Sequence, residues 1–325
     1  MMKEIIKWAA LACGLSLLSC QASSTTEVEF AIGMGAIDAQ LEQGGGSLIE
    51  DSLLPSLSYT DSNTVRISNG SVLNFAAGDA VGSFIRFASS ANDVPNPLCI
   101  SHSGLVVNDD PRVVYEILNG LRSGSMMGDY QPQPAALDLM LRNLRARYSN
   151  LLGFPGSVDA ASLAVVPFCL QANGTPTQVL TGITPHVQIE DLYSAVEIYN
   201  GNVFVRPLCK PVPLESTRAF LKAHIGRPYE GFLTFADLLR APMAANKTED
   251  IKRLFCSELV ALFYRTYCGL SISNVSNVIP ESFGSGAGEY DLLRSIASRE
   301  IPLKLRHNFS TPDPDGYCCR GCLLF

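Results

Sequence analysis

An α+β fold is predicted by the order in which two kinds of periodicity occur along the chain. Runs rich in β-branched and aromatic residues lie mostly ahead of residue 210: "CISHSGLVV" (99–107), "RVVYEIL" (112–118), "AVVPFCL" (164–170) and "NVFVRPL" (202–208). Apolar residues at helical spacing mark "PAALDLMLRNLRARYSN" (134–150), "ESTRAFLKAHIG" (215–226) and the stretch "RLFCSELVALFY" (253–264). Strands gathered early and a prominent helix late point to a sheet packed against helices. The chain has 325 residues, 47% of them hydrophobic, which is enough for one large domain or two small ones. A formal net charge of -7 excludes a generic nucleic-acid binder, whose affinity would rest on a basic surface.

The N-terminus reads as a targeting segment. Lys3 and Lys7 precede the apolar run "WAALACGLSLLS", which ends at Cys20. That run suits a signal h-region and is short for a membrane span. "LLSC" (17–20) resembles a bacterial lipobox, in which Cys20 would carry lipid. Residues 21–70 are Ser/Thr/Gly-rich and read as a tether and lead-in; "GGG" (44–46) lacks a following phosphate-loop Lys-Ser/Thr. A turn at Gly78-Asp79 should feed a strand within 75–88. "NDDP" (108–111) should then turn strand 99–107 into strand 112–118. Leu137, Met140, Leu141 and Leu144 give the helix over 134–150 its buried stripe. Gly226 should stop the helix over 215–226, and Gly269 the helix that starts near Cys256.

The C-terminus gives a second, conflicting address. In "CCRGCLLF" (318–325), Cys322 fits a prenylation box of the C-a-a-X type, with Cys318 and Cys319 placed for a further acylation. Prenylation is cytosolic, so it does not fit export of the same chain. Three cysteines without a nearby histidine make a poor zinc site, and no metal or cofactor is implied. The ten cysteines show no paired framework outside the tail, so no disulfide scaffold is inferred.

Cys256 stands at the start of a helix, with Lys252 and Arg253 just before it. A helix N-terminus carries partial positive charge, so the thiol pKa there should fall. The alternative is a small buried hydrophobe, the commonest use of cysteine. A nucleophilic thiol needs a histidine, and there are four: His102, His186, His224 and His307. His102 lies in a strand, with Gly104 on the same face leaving room for another group to approach. If "NDDP" closes a three-residue loop, His102 faces Glu116 across the hairpin, and a carboxylate there would orient the imidazole. A register slip of one residue would move Glu116 to the other face.

These pieces resemble the circularly permuted papain-like amidases, including YiiX-like and YaeF-like proteins and, more distantly, lecithin–retinol acyltransferase. The resemblance is carried by Gly78-Asp79, Ser101-His102-Ser103-Gly104, Glu116, Gly226-Arg227-Pro228-Tyr229 and Cys256-Ser257-Glu258-Leu259-Val260, in that order. It covers about residues 75–120 and 200–285. It implies a Cys256 nucleophile, a His102 base, a Glu116 orienting group and a short antiparallel sheet packed on the cysteine helix. Ser103 departs from the apolar residue usual after the histidine, and the stretch 121–200 is longer than a compact member requires. That stretch is read as an insertion within a domain spanning 71–310, between the segment 1–70 and a Cys-rich tail at 311–325. Tyr229 either lines the site or packs as a turn aromatic.

The expected function is a membrane-tethered cysteine hydrolase or acyltransferase acting on an amide or ester through an acyl-thioester. Its substrate would be a peptide, a peptidoglycan cross-link or a lipid amide or ester. The alternative is a non-catalytic lipid- or peptide-binding module on the same fold. Either lipid signal places the protein at a membrane, exported if Cys20 is modified, cytosolic if Cys322 is. Cys20→Ser is expected to release the protein from the membrane fraction while Cys322→Ser leaves it bound. Intact mass of the mature protein checks this, because a chain beginning at Met1 with a prenyl mass on Cys322 would reverse the assignment.

Overall fold

The computed structural model describes residues 56–59, 63–77, 95–152, 165–173, 183–229, 249 and 251–304, all within the unit Leu53–Phe325. The expectations for Cys20, for the Gly78-Asp79 turn and for Cys318, Cys319 and Cys322 lie outside the described residues.

Strands β1 (Ser56–Tyr59) and β2 (Asn63–Arg66) pair antiparallel with each other. Next comes β3 (Val72–Ala77), preceded by Ile67, Ser68 and Asn69, which are already buried; the packed domain therefore begins ahead of residue 71. β3 lies between β4 (His102–Asp109) and, on its other side, a strand from much later in the chain, β7 (Gly201–Arg206). With β5 (Val166–Asn173), β6 (His186–Asp191) and β8 (Ile301–Lys304) they form a six-stranded antiparallel sheet in the order β6-β5-β4-β3-β7-β8. The stretch 121–200 thus supplies β5 and β6, two integral strands beside β4.

Residues 112–118 are helical, which corrects the strand expected there: α1 runs Pro111–Ser123. Asp110 is its N-cap and accepts from the Arg112 N–H, and Pro111 sits at the first turn, where its fixed φ and missing N–H cost nothing. Val114, Ile117, Leu118 and Leu121 are buried at helical spacing. β-branched composition suggested a strand, but the cap and the period decide for helix. The hairpin that would have faced Glu116 to His102 therefore does not exist, and Glu116 is exposed on α1.

Helices α2 (Pro134–Leu152), α3 (Leu192–Ile198), α4 (Leu214–His224) and α5 (Cys256–Tyr267) complete the α-helices among the described residues, and three short 3-10 turns follow α5. The sheet has two buried faces. On one, Val72, Leu105, Val107, Phe168, Leu170, Val187 and Ile189 meet α1, α2, α4 and α5. On the other, Leu73, Phe75, Val106, Cys169, Val203 and Val205 meet Leu192 and Ala195 of α3. Every residue of α5 from Cys256 to Tyr264 is buried, and the Tyr264 hydroxyl donates to the Gly70 carbonyl at 2.7 Å.

Beyond β7 the chain is anchored by Arg206, whose Nη1 and Nη2 reach the two Asp291 oxygens at 2.6 and 2.8 Å. Its remaining donors meet the Ser298 and Phe283 carbonyls. Both side chains of this ion pair are almost fully buried, 2% and 4% exposed. A buried pair stripped of one partner leaves an uncompensated charge. Asp291→Ala is expected to destabilise the domain by about 3–5 kcal/mol, while the double change Arg206→Met/Asp291→Ala recovers part of the loss. Urea unfolding of the three proteins checks both.

Candidate active site

β4 begins at His102, and its side chains alternate between the two faces of the sheet. Leu105 and Val107 point to the face covered by α5, and Ser103 lies on the same side: its hydroxyl donates to Asn74 Oδ1 at 3.2 Å, and Asn74 Nδ2 donates to the Phe283 carbonyl. His102 lies on the opposite face. Its ring packs against Phe75 with centroids 5.2 Å apart, and Phe75 belongs to the core on the α3 side.

Cys256 is the first residue of α5 and is 5% exposed. The backbones of Ser103 and Ser257 lie close enough to the sulfur to offset part of the effect of its burial. The β4–β5 ladder starts only at Leu105↔Leu170, so β5 does not pair with Ser103. The thiol therefore meets β4 one residue from His102. It does not hydrogen bond to the imidazole, whose Nε2 lies 2.6 Å from Gln171 Oε1.

Gln171 takes the orienting position expected of Glu116. Its amide nitrogen in turn donates to Glu190 Oε1 on β6. Burial raises the Glu190 pKa to about 7, against the Gln171 hydrogen bond; with Glu190 ionised and holding the NH2 end of the amide, the amide oxygen faces His102 and Nε2 is the protonated ring nitrogen. Nδ1 is left with the lone pair. Gly104 is what lets β5 come this close: a Cβ there would stand 3.2 Å from Cys169 Sγ and 3.4 Å from Gln171 Cβ. The open space read from Gly104 was correct, and its occupant is a glutamine. Gln171 is buried just past the strand-like run 164–170, and nothing in the sequence around it singles it out.

The thiol is not activated at rest. Burial pushes the Cys256 pKa up to about 12, opposed by the nearby backbones of Ser103 and Ser257 and reinforced by the nearby carboxylates of Glu281 and Glu258. The expected lowering by the helix N-terminus is overridden by burial, and the Glu258 carboxylate, which accepts from the Phe255 N–H at 2.8 Å, adds a small push in the same direction. Lys252 and Arg253 are exposed. Burial also lowers His102 to about 4, against the Gln171 hydrogen bond, so both the thiol and the imidazole are neutral at pH 7.

No protein-family model, curated protein or solved structure matches the chain.

Tyr229 is brought to the helix tip. Its backbone bridges to Leu254, and its ring meets Phe255 edge-on with centroids 5.8 Å apart. Of the remaining histidines, His186 is buried with Nδ1 against the Thr184 carbonyl, and His224 is buried at the end of α4; His307 lies outside the described residues. Cys169, Cys209, Cys256 and Cys268 are free thiols, whereas Cys99 is disulfide-bonded, a pairing that the cysteine spacings did not disclose.

With its pKa raised, Cys256 forms thiolate only on the alkaline side of an ordinary thiol. Iodoacetamide modification at pH 7.5 is expected to be slower for Cys256 than for exposed Cys209, with a rate that keeps rising above pH 9. Peptide mapping of the alkylated sites checks this, and an alkylation rate already at its plateau at pH 7 would contradict the burial-dominated thiol.

Proposed function

We propose that the protein is a cysteine hydrolase or acyltransferase of the permuted papain-like kind, with Cys256 as nucleophile, His102 as base and Gln171 as the residue that orients His102. The observation that carries this reading is the placement of Cys256 as the first residue of α5, which packs on β4, the strand that begins with His102. The nucleophile in this reading is made during the reaction. In this reading His102 takes the thiol proton as sulfur attacks the carbonyl carbon, and because the imidazole and the thiol lie on opposite faces of the sheet, that transfer requires β4 to rearrange at its first residue. The C=O π electrons move to oxygen, and the Cys256 backbone N–H at the helix tip stabilises the oxyanion. Collapse expels the amine or alcohol, which receives the proton from His102. Water or another acceptor then cleaves the thioester. The substrate class is a peptide, peptidoglycan or lipid amide or ester presented near a membrane. In this reading the protein is exported with lipid on Cys20, because a charged segment, an apolar run and a cysteine in sequence form a longer coincidence than the four-residue box at Cys322.

A second reading, a non-catalytic lipid- or peptide-binding module, is favoured by the imidazole's place on the face opposite α5. The two readings separate on covalent chemistry. Incubated with activated acyl esters, the wild-type protein is expected to carry one acyl mass on Cys256. Acylation should be absent in Cys256→Ala and slowed about 10²–10⁴-fold in His102→Ala, with a smaller loss in Gln171→Ala. Intact mass and peptide mapping measure it. Acylation of Cys256 at the same rate with and without His102 would leave the binding module.

A further inference from the structure

Arg227 carries an unusual burden. It is 3% exposed, yet its Nε and Nη1 reach no hydrogen-bond acceptor. Its guanidinium lies over the Tyr130 ring, 4.2 Å from the centroid. His224 stands beside it, 8% exposed, and its Nδ1 likewise has no partner. Burial and then the Arg227 charge hold His224 down to about 3, and the Arg227 backbone N–H donates to the His224 carbonyl at 3.0 Å. Asp129 acts on Arg227 only through its charge and is exposed. A buried guanidinium is normally satisfied, as Arg206 is.

The surroundings are built to keep the side chain there. Gly226 adopts φ +76, and a Cβ on it would stand 2.3 Å from Pro132. A Cβ on Gly128 would stand 2.6 Å from the Lys222 carbonyl. The segment 128–132 is thereby pressed onto the end of α4, and Tyr130 is laid against Arg227. The same segment leads to the helix tip: the Tyr130 hydroxyl donates to the Ile251 carbonyl at 3.4 Å, and Tyr229 bridges to Leu254, ahead of Cys256.

We propose that Arg227 and His224 form a binding site for an oxyanion, a carboxylate or a phosphate, carried by the substrate. Two buried guanidinium nitrogens lack an acceptor, and the Nδ1 of His224, three residues away in the chain, is buried without a partner as well; an oxyanion would supply the missing charge and lone pairs to Arg227, with His224 able to donate in its Nδ1–H tautomer. That the anion belongs to the substrate rests on the hydrolase reading; the anion site itself does not.

The test is thermal unfolding of the full chain with sodium phosphate or sodium acetate, at ionic strength held constant with sodium chloride. For the wild type, the midpoint is expected to rise and saturate with at least one of the two anions. Arg227→Met is expected to lose the response and, without anion, to be at least as stable as the wild type, since an unpaired buried charge is gone. His224→Gln, which keeps the guanidinium, should weaken the apparent affinity about 10-fold, and it serves if Arg227→Met does not fold. Saturation by acetate alone assigns a carboxylate-bearing ligand, and by phosphate alone a phosphate-bearing one. No saturable response in the wild type, or an equal response in the variants, overturns the site. Cys256→Ala should keep the full response, so an inactive thiol and an absent anion site give different results.

Discussion

Successive side chains of a strand leave opposite faces of the sheet, and in β4 this pleat divides the chemistry between Ser103 and His102. Ser103 is turned toward α5, whose first nine residues are all buried there. His102 is turned toward Phe75, Gln171 and the core beneath α3. The thiol comes to the strand only where β5 has not yet closed its ladder, beside the backbone at Ser103, which belongs to neither face. Everything proposed for the site depends on that gap at the start of β4. It brings sulfur beside the residue that follows the histidine while the imidazole is held away by a glutamine.

The state of the thiol follows from unequal magnitudes. A helix N-terminus stabilises a neighbouring anion by about 1 kcal/mol at most sites, which lowers a pKa by less than about one. Removing a thiolate from water costs several times that when the group is enclosed. Cys256 is enclosed, and the Glu258 carboxylate adds a small push in the same direction. The same balance keeps His102 neutral. A neutral pair suits a mechanism in which proton transfer accompanies attack, rather than one that starts from a preformed ion pair.

Two other arginines, the buried Arg206 and the half-buried Arg218, show what a satisfied site looks like. Arg206 meets Asp291 and two carbonyls, and Arg218 meets both oxygens of Asp109 at 2.8 and 2.7 Å. Both tie distant parts of the chain to the sheet. Arg227 is as deeply buried as Arg206 and has an aromatic ring where the others have a carboxylate. The contrast lies within one molecule, so it reflects the use of the position rather than a general tolerance for buried charge.

The sequence by itself determined the α+β class, the helices over 134–150 and 215–226, the helix that Cys256 begins, and the strand nature of His102. These are local matters: period, capping residues and glycine stops act within one or two turns. Gly104 was also legible as a place of close approach, because a missing Cβ is a property of the residue alone. The tertiary structure decided the partners. Residues 112–118 had strand composition, but Asp110, Pro111 and a helical stripe against the sheet made them α1 and carried Glu116 to the surface. Gln171 became the partner of His102 because β5 pairs with β4, a choice between strands far apart in sequence. The protonation state of Cys256 was likewise undecided by its neighbours along the chain, since burial is a sum over residues that only the folded protein brings together.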